Sequence, residues 1–379
     1  MYFDNKTGLK SKTRNYSGQK NQLRKAFIIY EDRDKWLASD KAQAYDKADA
    51  KEMSKWLMPK EAVANTLDIL RNNSTNNSIQ FEIIELDDWK SDFHNFIKNH
   101  SEDSILWPIT DGFGLFHGSH VISMAELYGL RCFGCGVQAH VFAQDKFKLT
   151  TLCENIGISV PASQLVDNQS IIAQTQRCVF SRYFVKPNSL GNKIGINKHS
   201  KCTDHTQALA QARQLQEATF DKILIQEYIS GVDLRVTYIN TGTGEAPQYG
   251  FHLIPFDDEK GLPFISRYDR VSKYHGYTDL RHTDRFSELQ VKRLINGIEE
   301  NLDTFSQHVE IKDYFTFDFR VDENGKAWLV DFNPGAFLFG SDVEGYTEYC
   351  FNKNLGSALN NALSKAFYEE NALLSQSVA

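Results

Sequence analysis

The chain has 379 residues, 41% of them hydrophobic, enough to bury a substantial core in two or three domains. Its 42 Lys and Arg against 49 Asp and Glu give a formal charge of −7, which excludes a general electrostatic attraction to nucleic acid. No apolar run approaches the ~20 residues that span a bilayer, the polar N-terminus lacks the apolar core of a secretory signal, and six unframed cysteines suit a reducing compartment. A cytoplasmic protein with no nucleic-acid or membrane partner is expected.

Residues 1–25 form a polar tail where Lys6, Lys10, Lys12, Arg14, Lys20, Arg24 and Lys25 gather, and it reads as disordered chain rather than a partner-binding arm. Ala26–Tyr30, Phe81–Leu86 and Ser104–Ile109 are strand candidates with a helix around Lys51–Leu70 between the first two, the rhythm of a small parallel sheet. Arg71–Ser78 is a polar loop, Asp111-Gly-Phe-Gly114 a turn, and His117-Gly-Ser-His120 a helix start with surface or capping histidines. Cys132-Phe-Gly-Cys135 has C-x-x-C spacing but no second pair to complete a zinc site, so its thiols read as structural.

Chemistry begins near residue 142. Asp145-Lys146 opens an amphipathic segment running to Gly157, and Val185-Lys186-Pro187-Asn-Ser189-Leu-Gly191 is a strand ending in lysine, followed by a small-residue loop and a second strand. Such a loop folds its amides over phosphate oxygens while the lysine adds a compact positive charge, although no G-x-x-x-x-G-K-[ST] pattern is present. After a helix at Thr206–Thr219, the apolar strand at Lys222–Gln226 runs through Glu227-Tyr228-Ile229 to a bend at Gly231 and on to Asp233. Those residues suit an adenine edge and a ribose hydroxyl, for which Glu227 is the alternative to Asp233.

A hairpin turn at Thr241–Gly244 and a helix around Phe286–Phe305 precede the most informative stretch, Tyr314–Ala336. Alternating Phe315, Phe317 and Phe319, the Asp-Glu-Asn-Gly turn and the apolar run Ala327–Val330 predict a β-hairpin. Asp318 sits on its first strand, and Asp331 and Asn333 lie two apart on its second, facing one way. Hard oxygen ligands in that arrangement suit Mg²⁺ shared with substrate phosphates. Tyr346–Leu374 reads as a closing helix, and no internal repeat is visible.

The order of these motifs resembles the ATP-grasp superfamily, and within it the D-alanine:D-alanine ligase branch, over roughly Asp111–Gly335. Glu126–Gly134 followed by Gly136–Thr150 and Gly157–Pro161 is the clearest stretch outside the hairpin. The resemblance implies an α/β (α+β) ATP-grasp fold divided into a tail at 1–25, an N-terminal α/β domain at 26–141, a central subdomain at 142–230 and a C-terminal domain at 231–379. It implies ATP and Mg²⁺ as cofactors. Lys146 and Lys186 would contact the nucleotide phosphates, Ser189 and Gly191 would belong to the covering loop, Gln226, Glu227, Tyr228 and Ile229 would line the adenine pocket, and Asp233 would hold the ribose. Asp318, Asp331 and Asn333 would hold metal, and Lys273-Tyr274 resembles the Lys-Tyr of a mobile active-site loop. The implied reaction joins a small-molecule carboxylate to an amine through an acyl phosphate, in a protein that forms homodimers.

The chain departs from that branch in three places. Thr316 stands two residues before the first metal carboxylate, where the ligases carry an arginine that stabilises the reaction's oxyanion; Arg320, Arg267, Arg270 and Arg281 are the candidate replacements. Asn333-Pro334-Gly335 lacks two residues that the ligases place between the asparagine and Pro-Gly. The first strand leads into Tyr30-Glu31-Asp32-Arg33 instead of a glycine-serine-glutamate loop. An amino acid other than D-alanine, a small peptide or another carboxylate is therefore the expected substrate. The alternatives are a ligase acting on a protein acceptor and a non-catalytic ATP-binding sensor or scaffold.

Overall fold

The computed structural model describes residues 24–43, 47–54, 57, 59–72, 79–99, 104–109, 117–176, 180–191, 193–240, 248–254, 278–335 and 357–367. The predicted turns at Asp111–Gly114 and Thr241–Gly244, and the segment holding Arg267, Arg270, Lys273 and Tyr274, lie outside the described residues. Among the described residues no helix is long and apolar enough to cross a membrane.

The expected small parallel sheet is present, built from β1 (Arg24–Tyr30), β2 (Ile79–Glu85) and β3 (Ser104–Pro108) in the order β2-β1-β3. All of β3 and the last five residues of β1 are buried, as parallel strands covered on both faces require. The helix expected at Lys51–Leu70 is two helices, Lys47–Ser54 and Lys60–Asn72. Pro59 separates them because its ring has no N–H to give the preceding turn; its own carbonyl accepts from Ala62 at 3.0 Å and starts the second helix. That helix covers one sheet face with Val63, Leu67 and Leu70. Beside it lies the helical stretch 357–367, the described part of the predicted closing helix, which buries Leu359, Leu363 and Phe367. Asn360 donates to the Leu70 carbonyl at 2.8 Å and fixes the two together.

The middle layer is antiparallel. It comprises β4 (Ser163–Asp167), β5 (Ser170–Gln174), β6 (Tyr183–Pro187), β7 (Lys201–Cys202) and β8 (Ile223–Glu227), in the order β5-β4-β8-β6-β7. The strand expected immediately after the small-residue loop forms only at β7, because Lys193 and Gly195 take left-handed φ values of 59° and 74° and turn the chain first. The helix His205–Thr219, capped by Asp204, packs Ala208, Ala212 and Leu215 onto Val185, Ile223 and Ile225.

The third layer has β9 (Val232–Ile239), β10 (Gln248–Ile254), β11 (Thr278–Asp279), β12 (Tyr314–Val321) and β13 (Ala327–Asn333), in the order β11-β10-β9-β12-β13. Phe315, Phe317, Phe319, Leu234 and Val236 form one face, buried with Leu294, Ile298 and Leu302 of the helix Glu288–Ser306, which begins at a Ser287–Gln290 capping box. The opposite face changes character along the strands. Asp233 pairs with Arg320, Arg235 with Asp318, Thr237 with Thr316 and Ile239 with Tyr314. The last pair joins the core of the first layer, where the Trp107 indole donates to the Tyr314 hydroxyl at 2.8 Å. A polar band thus runs along this face and ends against that core.

The helix Val137–Ala143 buries His140, and burial pushes its imidazole down to about 4 from an ordinary 6.5. Between those values the unfolded chain takes up a proton that the folded chain refuses. The associated stability is complete above pH 6.5 and falls by up to about 3 kcal/mol as pH drops through 4. His140→Gln is expected to flatten this limb of a stability curve measured by denaturant titration at successive pH values; an unchanged slope would place the titration elsewhere.

Candidate active site

The β12–β13 hairpin is closed by Asp322, whose side chain accepts from the amides of Asn324 and Lys326 at 2.9 and 3.0 Å. Its register puts Asp318 directly opposite Asp331, and Thr316 opposite Asn333. A register shift follows Asp318, with Phe319 opposite Leu329, so Val330 is the extra residue of a bulge. The Val330 carbonyl accepts from the Lys186 ammonium at 3.1 Å. The irregularity in one layer therefore anchors a lysine from another.

Lys186, the penultimate residue of β6, is almost wholly buried. Burial pulls its ammonium down to about 8 from an ordinary 10.5, with nearby Asp331 acting in the opposite direction and Lys146 reinforcing the decrease. Lys146 opens the helix Lys146–Asn155, whose N-cap is Asp145. Asn188, just past β6, binds that helix start: its carbonyl accepts from the Lys146 amide at 3.2 Å, its side-chain oxygen from the Phe147 amide at 2.9 Å, and its side-chain nitrogen donates to Asp145 at 3.0 Å. Lys146 donates to the Leu190 carbonyl at 3.0 Å and stands 3.8 Å from Asp331.

These groups line one pocket between the middle and third layers. Its wall includes Lys146, Lys186, Gly191, Gln226, Glu227, Tyr228, Ile229, Asp233, Asp318, Arg320 and Asp331. Gln226 is buried and donates to Ser163 at 3.0 Å, while Tyr228 lies under Lys201, 4.3 Å from its ring centre. Ser189 is not on the wall; its amide donates to Asp221 at 2.7 Å. Asn333 also lies off the wall, one row beyond the two aspartates. Thr316 is buried, and its hydroxyl has no hydrogen-bond partner among the described residues.

Arg320, read as a catalytic candidate, is engaged in holding the connection between layers. It donates to the carbonyls of Ile229 at 3.0 Å and Gly231 at 2.9 Å and to Asp233 at 2.6 Å. Arg281, another candidate, is bound to Asp279, with its Nε 2.9 Å from a carboxylate oxygen. Besides Arg320 the pocket presents Arg235, together with Lys193, Phe184 and Pro161, which the sequence reading did not select. Arg235 grips both oxygens of Asp318 at 2.7 and 2.8 Å. Its signal was available: two residues after Asp233 on one strand, it must share that residue's face.

Asp318 and Asp331 are about a quarter exposed toward this pocket. No trio of His, Cys, Asp or Glu converges among the described residues. Two carboxylates with a nearby amide fit Mg²⁺ completed by phosphate oxygens and water, rather than an all-protein cage.

Residues 152–337 match the family model described as D-ala D-ala ligase C-terminus. Over that span, just under half of its length, the chain is similar to the D-alanine:D-alanine ligase-like branch of the ATP-grasp superfamily. Among curated members of that branch it is 26% identical over 221 residues to D-alanine--D-alanine ligase B of Chromobacterium violaceum, covering 55% of this chain and 64% of the relative. It is 30% identical over 197 residues to the D-alanine--D-alanine ligase of Chlorobaculum tepidum, covering 48% of each. The chain spans less than two thirds of the length of the curated relatives it matches. Its ATP-grasp fold extends further: D-alanyl-alanine synthetase A from Vibrio cholerae superposes over 91% of this chain and 98% of its own, with a TM-score of 0.61 at 12% identity. VanG D-Ala:D-Ser ligase from Enterococcus faecalis covers 91% of this chain and 100% of its own, with a TM-score of 0.60 at 14% identity.

Proposed function

We propose that the protein is an ATP-dependent ligase that joins the carboxylate of an amino acid or small peptide to an amine. The observation that carries this reading is the convergence of Lys146 and Lys186 from the middle layer with Asp318 and Asp331 from the third on one pocket wall. A fold relative, the D-alanine--D-alanine ligase of Bacillus anthracis, has been solved with ATP.

In this reading Phe184, Gln226, Tyr228 and Ile229 receive the adenine, Asp233 or Glu227 the ribose, and Lys146, Lys186 and the amides near Gly191 the phosphates. Asp318 and Asp331, with Asn333, would hold Mg²⁺, which would supply positive charge to the phosphoryl group. A substrate carboxylate oxygen attacks the γ-phosphorus, the bond to the β-phosphate oxygen breaks, and ADP leaves. The amine then attacks the acyl carbon, loses a proton and expels phosphate. The protein's work is to position the reactants and balance their charge. Glu31-Asp32-Arg33 after β1 and Thr316 on β12 favour a substrate other than D-alanine. Asp32 is committed locally, accepting from the amides of Asp34 and Lys35 at 3.0 Å.

The test is ADP and phosphate release with MgATP across a panel of amino acids and dipeptides. Release that requires a particular carboxylate and amine pair establishes ligation. ATP binding without release across the panel shifts the assignment to a macromolecular acceptor or a nucleotide sensor.

A further inference from the structure

Arg235, Asp318 and Asp331 occupy one row across three neighbouring strands, since β9 pairs Arg235 with Asp318 and β13 pairs Asp318 with Asp331. All three line the pocket. Arg320 is fixed by main-chain carbonyls and Asp233, whereas Arg235 holds a side chain whose oxygens also suit a divalent cation. On its other side Arg235 faces His252 across β10, with Asp279 next in the row and bound by Arg281.

The two parallel bonds from Arg235 to Asp318, 2.7 and 2.8 Å long, show a guanidinium fork presented to a carboxylate at the pocket wall. A divalent cation bound to Asp318 would place two positive charges beside that guanidinium. Repulsion and competition for the same oxygens would then weaken the pair. A substrate carboxylate arriving at the wall offers Arg235 a second partner of identical geometry.

On the ligase reading above, we propose that Arg235 grips the reacting carboxylate of the substrate, and that Asp318 holds Arg235 until metal binding releases it. The arginine on β9 thereby supplies the positive charge absent from position 316 on the adjacent strand. It keeps the carboxylate in line for phosphoryl transfer and donates to the oxyanion formed when the amine attacks. No covalent bond to Arg235 forms or breaks.

Phenylglyoxal labelling of the full chain, located by peptide mass spectrometry, reads the handover directly without turnover. Mg²⁺ alone is expected to raise the labelling rate at Arg235 several-fold, and Asp318→Asn to raise it without metal. In the presence of Mg²⁺ and a non-hydrolysable ATP analogue, a carboxylate from the amino-acid panel is expected to restore protection. A labelling rate that Mg²⁺ leaves unchanged or lowers, or that no carboxylate on the panel suppresses, overturns the proposal. Arg235→Ala and Arg235→Lys supply a second readout. The proposal expects the carboxylate KM to rise at least tenfold in Arg235→Ala, with partial recovery in Arg235→Lys and unchanged ATP affinity; loss of metal affinity at unchanged carboxylate KM would make Arg235 only a support for Asp318. Ligation that proceeds with Arg235 inert overturns this inference alone, whereas a labelling handover without ADP release overturns the ligase reading alone.

Discussion

Replacing Lys186 with methionine is expected to lower ATP turnover about 10²–10³-fold, the usual range for removing one preorganised charge-stabilising donor, while leaving the protein at least as stable at neutral pH. Both results follow from the position of one ammonium group. It is buried near the end of β6, bound to the Val330 carbonyl and close to the carboxylate of Asp331. There it faces the transferring phosphate in the proposed reaction. Burial has already lowered its pKa from 10.5 to about 8, so the folded protein carries this charge at neutral pH at a cost to stability. The unfolded chain binds more protons between pH 8 and 10.5, and wild-type stability should rise across that interval. Methionine preserves the stem and abolishes the rise. Kinetics and chemical denaturation on the same preparations check the two halves; a variant that loses activity by unfolding would contradict the assignment.

Gly231→Ala should be among the most damaging single substitutions in the chain, costing about 3–5 kcal/mol, in the upper tail for point changes. Gly231 has φ of +144°, and a Cβ there would sit 1.9 Å from the Val321 carbonyl oxygen. No side chain can bend away from that clash because both partners are backbone. The glycine lies where β8 hands over to β9, and Arg320 clamps its carbonyl together with that of Ile229. Any shift there moves Tyr228, Ile229 and Asp233 together, so nucleotide affinity should fall with stability. Gly157→Ala is the control. Its φ is also positive, +85°, but its Cβ would meet nothing within 4 Å, and the cost should stay near 1 kcal/mol. Equal melting temperatures for the two variants would refute the steric argument.

What the sequence disclosed was local. The β12–β13 hairpin was legible because period-two alternation and the Asp-Glu-Asn-Gly turn are contained within one short stretch, and Asp318 and Asp331 face each other as that alternation requires. Lys146 and Lys186 were legible through their order along the chain, and both line the pocket. Pro59 was equally visible, but the helical spacing on either side masked the break it imposes. Long-range pairings were hidden. Arg235 meets a partner 83 residues away, and Asn360 meets Leu70 across 290 residues. No local pattern shows which strand will lie beside β12, so the engagement of Arg320 with the β8–β9 connection was not readable either.

The two-faced third layer limits how this site can diversify. Along β12 the residues alternate between the phenylalanine core and the opposite face that carries Asp318 and Arg320, and the neighbouring rows are fixed by partners on β9 and β13. Inserting or deleting one residue within the strand would send Asp318 into the core and a phenylalanine into the pocket. Selectivity can therefore drift through exchanges within a row, such as that of Thr316 and Thr237, while changes of length are confined to the turns. The fold thus tolerates a change of side chain at the site far more readily than a change of strand length.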